Sequence, residues 1–123
     1  MTKKTLTILG ATCKLGIELS YIYANNNYNL ILVARNYNKV QDLKNSLEQK
    51  FPNIFIEIYE LDILDLDNQK LVFDKIKEVS TGIISLIGET HYVKKINENR
   101  LFDIINVNFT YLVNFISFFF RTL

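Results

Sequence analysis

Two glycines near the start of the chain bracket a segment whose spacing suits contact with a phosphate group. Gly10 follows a run of apolar and β-branched residues, and Gly16 comes six residues later. A first glycine permits a sharp bend after a strand, and a later one lets a helix pack closely on that strand. The N–H groups at the start of such a helix face a pyrophosphate. The residues expected to contact a nucleotide in this turn are Gly10, Thr12, Cys13, Lys14, Leu15 and Gly16.

Arg35 is a candidate for recognising the ribose of that nucleotide. It lies 25 residues after Gly10 and directly follows a second apolar run, Leu30 to Ala34. A residue at this place faces the adenosine ribose, where an acidic side chain binds the 2′-hydroxyl and a basic one pairs with a 2′-phosphate. The arginine therefore predicts NADP rather than NAD as the cofactor. The alternative is a surface arginine that begins a helix.

The rest of the chain repeats the pattern of an apolar run followed by an amphipathic segment. Short runs rich in Ile, Leu and Val predict buried strands, and apolar residues three or four apart predict helices. The predicted strands cover 5–9, 30–34, 54–61 and 83–87, and the predicted helices cover 15–25, 37–50, 65–79 and 98 to the end. The helix over 65–79 is expected to bury Leu66, Leu71, Phe73 and Ile76. Four alternations of strand and helix predict an α/β fold with a parallel sheet covered on both faces.

Within this frame, the glycine turn resembles the fingerprint Gly-x-x-x-Gly-x-Gly of the short-chain dehydrogenase/reductase family. Gly10 and Gly16 match its first and last glycines, and Lys14 replaces the middle one. Against the Gly-x-x-Gly-x-x-Gly pattern of the epimerase-like branch, the replacement is Cys13. Lys14 either supplies a cation to the phosphates or points into solvent. The resemblance implies a Rossmann-like, doubly wound parallel sheet (β1-α-β2-α-β3-α-β4-α), incomplete relative to the family, with residues 1–123 as a single NAD(P)-binding domain.

The resemblance also implies roles for residues after the later strands. Asp62 and Ile63 take the place of an aspartate–hydrophobic pair that lies against the adenine. Asp62 is also placed, with Asp65, to favour the dipole of the next helix. Gly88 is what remains of the family's Asn-Asn-Ala-Gly stretch. Asn108, within Val-Asn-Phe, corresponds to the asparagine that kinks the fourth helix and helps to hold a water in the proton relay, which is a supporting catalytic role.

The family's main catalytic residues are not found in these 123 positions. In the family, a tyrosine acts as general acid and base in hydride transfer, a lysine four residues later lowers its pKa, and a serine holds the substrate oxygen. None of the seven tyrosines has a lysine at the fourth following position. We therefore expect the nucleotide-binding portion of an NAD(P)-dependent oxidoreductase, cut short before those residues. The alternatives are a non-catalytic NADP-binding module and a non-functional truncated remnant.

Composition gives no support to several other classes of protein. The formal net charge of +1 gives no reason to expect a nucleic-acid partner. One cysteine and one histidine, His91, make a metal site improbable. A single cysteine also excludes an intramolecular disulfide, which favours a reducing, cytoplasmic location. A nicotinamide dinucleotide is therefore the small-molecule partner that the sequence favours.

The last segment is unusually apolar. Residues 104–120 contain no charged side chain, but three asparagines interrupt the stretch. A membrane-spanning helix needs about 20 predominantly apolar residues, so no span is expected. A helix that is meant to be buried on both sides accounts better for the pattern. We therefore expect self-association, or contact with a missing C-terminal half, through the 98–123 helix and the open edge of the fourth strand.

Overall fold

The computed structural model describes residues 3–88 and 98–121, in which strands and helices alternate. The strands are β1 (Thr5–Leu9), β2 (Asn29–Ala34), β3 (Ile56–Glu60) and β4 (Gly82–Ser85). The helices are α1 (Lys14–Asn25), α2 (Tyr37–Lys50), α3 (Leu66–Ile76), α4 (Glu98–Ile105) and α5 (Tyr111–Arg121), and a π-helical turn, Asn106–Thr110, joins α4 to α5. The predicted alternation is confirmed, with boundaries that shift by up to three residues. His91 lies outside the described residues.

The four strands form one parallel sheet in the order β3-β2-β1-β4. Leu9 at the end of β1 pairs with Val33 on one side and with Ser85 on the other, so these carboxyl ends lie at one edge of the sheet. The chain winds outward from β1 to β3 and then crosses back to place β4 on the other side of β1. The strand order therefore reverses between β1 and β4, where a parallel sheet leaves a crevice at its carboxyl edge.

Helices cover both faces of the sheet because alternate strand residues point to opposite sides. On one face, Leu30 and Leu32 of β2 pack with residues of α1 and α2, among them Val40. On the other face, Ile31 and Val33 pack with residues of α3 and α5. A central parallel strand has no solvent-facing side, which explains the continuous apolar run of β2. The doubly wound α/β fold is confirmed.

Small residues, rather than the large apolar ones, form the buried side of α1. Gly16, Ser20 and Ala24 are buried, whereas Leu15 and Ile22 are more than half exposed. The Ser20 hydroxyl donates a hydrogen bond of 2.7 Å to the Gly16 carbonyl, so its polar atom is satisfied inside the helix. The small side chains let α1 lie close to the sheet, at the point where the chain turns out of β1.

The buried face of α3 differs from the prediction. Phe73 and Ile76 are buried as expected, but Leu66 and Leu71 are 51% and 62% exposed, so their predicted burial is wrong. With 3.6 residues per turn, a stripe through Phe73 and Ile76 leaves Leu71 on the outer side, and Leu66 lies at the first position of the helix, beyond the packed stripe. The fully buried Gln69 takes an inward position instead.

The helical segment from α4 to α5 packs on the sheet with one side only. Val107 and Phe115 are buried against the core that α3 covers. The opposite side is exposed at Leu101, Phe102, Ile105, Phe109 and Val113, which are 46% to 66% accessible. By length and composition alone, Glu98–Phe119 could cross a membrane, with 22 residues and a mean hydropathy of 1.3. Core helices of soluble proteins pass the same test, so the absence of a span stays a prediction.

Candidate dinucleotide-binding site

A cleft of about 340 Å³ lies at the carboxyl edge of the sheet, where the strand order reverses. Its walls come from the segments that follow all four strands and from the π-helical turn. Seven of the ten predicted nucleotide-binding residues line it: Gly10, Thr12, Cys13, Arg35, Asp62, Ile63 and Gly88. Lys14, Leu15 and Gly16 lie behind them in the first turn of α1. The fold thus brings together residues that the sequence spreads over nearly 80 positions.

Gly10 makes the bend that opens the cleft. Its φ of +78° lies in the left-handed region, which side chains with a Cβ rarely adopt. A Cβ there would also lie 3.0 Å from the carbonyl carbon of Leu86, in the segment after β4. The Gly10 N–H donates a 2.8 Å hydrogen bond to the Val33 carbonyl, which ties the turn to β2. The first glycine of the turn is therefore required by the backbone path.

The first turn of α1 presents backbone donors beside the cleft. The helix begins with an N–H···O bond of 2.9 Å from Ile17 to Cys13, and the Cys13 thiol accepts the N–H of Gly16 at 3.3 Å. The N–H groups of Lys14 and Leu15 precede that first helical bond, as donors at a helix start do. Their side chains are exposed and do not line the cleft. Both N–H groups can therefore donate to an anion at the start of the helix.

Cys13, not Lys14, is the side chain that lines the cleft where a glycine of either fingerprint would leave space. It is exposed and caps α1 from an extended backbone conformation. A thiol is small, so it narrows this part of the cleft less than a lysine side chain would. At the cleft, the side chain that stands in place of the middle glycine is therefore that of Cys13.

Arg35 lies between the main cleft and a neighbouring polar hollow of about 550 Å³. The hollow is also lined by Asn36 and Lys39 from the start of α2, and by Glu60 at the end of β3. Asn36 caps α2 by accepting the N–H of Lys39 at 3.1 Å. Two cationic side chains, a helix N-terminus and one carboxylate therefore border this volume. Arg35 also borders a hollow that is lined by Glu60 and three aspartates.

The segment after β3 is ordered by side-chain hydrogen bonds. Asp62 accepts the N–H of Leu64 at 3.0 Å, and its own N–H donates to the Asn68 amide oxygen at 2.8 Å. Asp65 caps α3 by accepting the N–H of Asn68 at 3.0 Å. Of the two aspartates that the sequence places near this helix start, Asp65 is the cap and Asp62 shapes the loop. Ile63 is 6% exposed and closes this side of the cleft.

Asn108 and Gly88 meet at the other end of the cleft. A Cβ on Gly88 would lie 3.5 Å from the Asn108 amide oxygen. Asn108 stands in the π-helical turn, so the regular helix is interrupted at the asparagine that was expected to kink it. The preceding residue, Val107, is 7% exposed and lines the cleft. Sequence reasoning missed Val107, although its place directly before Asn108 was a usable signal.

Two further observations concern metal-ligating and titratable side chains in the described part of the chain. In 3–88 and 98–121, no group of three or more His, Cys, Asp or Glu side chains could hold a metal ion. Tyr59 on β3 has its pKa raised to about 12, chiefly by burial and also by the 2.6 Å hydrogen bond that its hydroxyl donates to Glu57. It does not line the cleft. Its raised pKa therefore does not belong to the chemistry of the cleft.

Comparison with known proteins gives related sequences and related folds. The model of the short chain dehydrogenase family matches residues 4–123. An uncharacterized oxidoreductase of Mycobacterium tuberculosis (strain CDC 1551 / Oshkosh) is 31% identical over 87 residues, which are 71% of this chain and 34% of that protein. A very-long-chain 3-oxoacyl-CoA reductase-like protein of Arabidopsis thaliana is 32% identical over 85 residues, which are 68% of this chain and 27% of that protein.

The structural likeness extends over almost the entire chain. An alcohol dehydrogenase from the archaeon Thermococcus sibiricus, solved with 5-hydroxy-NADP, superposes with a TM-score of 0.83 at 18% identity. The match covers 98% of this chain and 53% of that one, and at this identity it shows the fold alone. The chain spans about half of that structure and about a third or less of the two related sequences. Since the family match covers residues 4–123, the chain belongs to the short chain dehydrogenase family.

Proposed function

We propose that this chain binds NADP(H) and forms the nucleotide-binding portion of an oxidoreductase, with residues 1–123 as one domain. The observation that carries the proposal is the cleft at the reversal of strand order, bounded by the Gly10 turn and the first turn of α1. Open α/β sheets bind ligands at such a reversal. When bound, the nicotinamide would supply hydride chemistry.

The residues present fit such a cofactor. Gly10 and Gly88 carry no side chain into the carboxyl edge, so a ligand can approach the backbone there. The first-turn N–H groups of α1 would hold the pyrophosphate. Ile63 would lie against the adenine, with Asp62 holding its loop. Asn108, next to Gly88, would serve the nicotinamide end in the supporting role that the family resemblance implies.

The preference for NADP over NAD rests on the hollow beside Arg35. A 2′-phosphate carries about two negative charges, and the guanidinium of Arg35 and the ammonium of Lys39 are the cations that line this volume. The start of α2 adds its own affinity for anions. The Glu60 carboxylate would repel an anion there, but two cationic side chains line the same volume. An NAD-selective site would instead need a carboxylate in the position of Arg35.

Titration of the chain with NADPH and NADH, followed by fluorescence, tests both parts of the proposal. We expect tighter binding of NADPH. Arg35→Ala should weaken NADPH binding about tenfold to a hundredfold and leave NADH binding unchanged, since a charge-assisted bond to the phosphate is lost. Lys70→Ala removes an exposed cation from α3 and should change neither affinity. Equal affinities in the wild type would refute the NADP preference, and no binding of either cofactor would refute the function.

The catalytic part of the proposal concerns the whole protein. The Arabidopsis relative is a very-long-chain 3-oxoacyl-CoA reductase-like protein, which supports hydride transfer at a carbonyl or alcohol carbon. Reading the DNA beyond Leu123 in all frames separates this proposal from a non-catalytic NADP-binding module or a truncated remnant. A serine and a Tyr-x-x-x-Lys stretch are expected there. Unrelated sequence would overturn the oxidoreductase assignment.

We propose further that the exposed apolar side of α4 and α5 is covered in the working protein, by a second copy or by a C-terminal half. The proposed location is the cytoplasm, in line with the single cysteine. Localising a fluorescent fusion tests the compartment, and a membrane or secreted signal would refute it.

A further inference from the structure

Gln69 is fully buried, and both the amide nitrogen and the amide oxygen of its side chain form hydrogen bonds. Its amide nitrogen donates to the Ile63 carbonyl at 2.7 Å and to the Tyr111 carbonyl at 2.9 Å. Its amide oxygen accepts from the Asn114 amide at 2.8 Å. Burial of a primary amide is costly unless each group is paired, and here the pairing is satisfied.

The two carbonyls that Gln69 contacts belong to two segments that contribute to the cleft. Ile63 lines the cleft on the β3 side and precedes α3. Tyr111 directly follows the π-helical turn, whose Val107 lines the cleft on the β4 side. One carboxamide therefore joins the loop proposed to hold the adenine to the helical segment that carries Asn108.

We propose that Gln69 is a positioning residue that sets these two walls of the cleft relative to each other, an inference that rests on the proposed nucleotide binding. It contacts no part of the cleft lining except through the Ile63 carbonyl, so it acts through other residues. The same α3–α5 interface continues to Phe73, whose ring lies 5.2 Å from that of Phe118 and 5.0 Å from that of Phe119. Those apolar contacts hold the helices together but lie away from the cleft.

The position requires a carboxamide for a chemical reason. Two donors must meet two carbonyls while one acceptor meets the Asn114 amide, and a glutamine side chain supplies both kinds of group. Leucine has a similar volume but would leave both carbonyls and the Asn114 amide without this partner. Glutamate would keep the acceptor and place a second oxygen against the carbonyls. Its protonated form would recover one donor.

The test compares Gln69→Leu with Phe73→Leu in the full 123-residue chain. Both variants weaken the α3–α5 interface, but only the first removes the bonds to Ile63 and Tyr111. We expect Gln69→Leu to raise the dissociation constant for NADPH about tenfold, while Phe73→Leu leaves it near the wild-type value. Without ligand, amide hydrogen exchange in Gln69→Leu should rise in both 61–64 and 106–112, and in Phe73→Leu it should not rise in 61–64.

A second variant covers the case in which Gln69→Leu does not fold. For Gln69→Glu, burial raises the pKa of the introduced carboxyl, so lowering the pH from about 8 to about 6 should restore part of the NADPH affinity relative to wild type. A constant ratio over that range would contradict the inference, as would equal NADPH affinities of Gln69→Leu and Phe73→Leu. If the wild type binds no NADPH, the proposed function itself fails. Normal wild-type binding with unaltered variants overturns the positioning role alone.

Discussion

Gly16 lies against the backbone of Ala11 at a distance that leaves no room for a side chain. A Cβ at this position would lie 2.5 Å from the Ala11 carbonyl oxygen, and the neighbouring atoms are backbone as well. Because backbone cannot rotate away, Gly16→Ala should displace α1 from the turn. We expect the free energy of unfolding to fall by about 1–3 kcal/mol, as for overpacking elsewhere. Urea denaturation measures the change.

Gly82→Ala is the matched control for that substitution. Its added Cβ would lie 3.5 Å from a side-chain carbon of Leu6, which is ordinary van der Waals contact. The unfolding free energy should therefore stay the same or rise, since alanine restricts the unfolded chain. An equal loss of unfolding free energy in both variants would contradict the explanation that Gly16 is needed for the close approach of α1 to Ala11.

Single residues of the site were predictable where their role follows from position along a strand. Gly10 and Arg35 come directly after a strand and Asp62 comes two residues after one, and the carboxyl ends of parallel strands meet at one edge. Lys39 in the hollow and Val107 in the cleft were not predicted, because they reach these places only through the way α2 and the π-helical turn fold back on the sheet. That placement depends on tertiary packing, which spacing along the sequence does not contain.

At the scale of elements, three helices in the stretch 3–88 start with a side chain that accepts a backbone N–H. Cys13 caps α1, Asn36 caps α2 and Asp65 caps α3. All three lie in segments that follow a strand at the carboxyl edge of the sheet. The caps therefore stabilise the helices and also fix the loops that line the cleft and the hollow beside it.

The cap of α3 can be tested without touching the cleft lining. Asp65→Ala removes the acceptor for the Asn68 N–H and should lower the free energy of unfolding by about 1 kcal/mol. Asp65→Asn keeps an acceptor of nearly equal capping strength and should retain most of that stability. Thermal or urea unfolding of the two variants gives the comparison. Equal losses would assign the effect to the charge of Asp65 and not to its hydrogen bond.

Whether a segment forms a strand or a helix was easier to predict than which side of a helix is buried. Apolar runs located the strands within a few residues, since buried parallel strands must be apolar on both sides. The faces of α1 and α3 were harder, because Ser20 and Gln69 are buried through hydrogen bonds that no hydrophobic pattern reveals. The π-helical turn was likewise hidden in an apolar stretch, although the identity of Asn108 pointed to an irregularity there.

At the scale of the whole molecule, the order of the strands determines where the cleft forms. The alternation of elements predicted a parallel sheet, but the order β3-β2-β1-β4 requires β4 to pair with β1 and not with β3. Leu6 to Leu9 of β1 provide that pairing edge, since they remain buried between both neighbours. The reversal that results creates the cleft. The position of the cleft therefore follows from the order of the strands and not from any one side chain.

The exposed side of α4 and α5 is an apolar surface that the described part of the chain leaves uncovered. α4 buries none of its own residues, and Phe102 within it is 54% exposed. Adjacent exposed apolar side chains favour association, because contact removes them from water. We expect the wild-type chain to show a sedimentation coefficient that rises with protein concentration. Phe102→Lys should reduce that association, and Glu98 one turn earlier can pair with the new lysine and preserve the helix.

Leu71→Lys supplies the control at a position of similar exposure. Leu71 is 62% exposed on α3, and Asp67 lies one turn before it just as Glu98 precedes Phe102. The substitution therefore adds the same charge at a helical site outside the apolar side of α4 and α5, and it should leave the concentration dependence as in the wild type. Equal effects of the two lysines would mean that net charge, not this surface, controls association. A wild-type chain that sediments as a monomer at every concentration would rule out a second copy as the occupant and favour a C-terminal half.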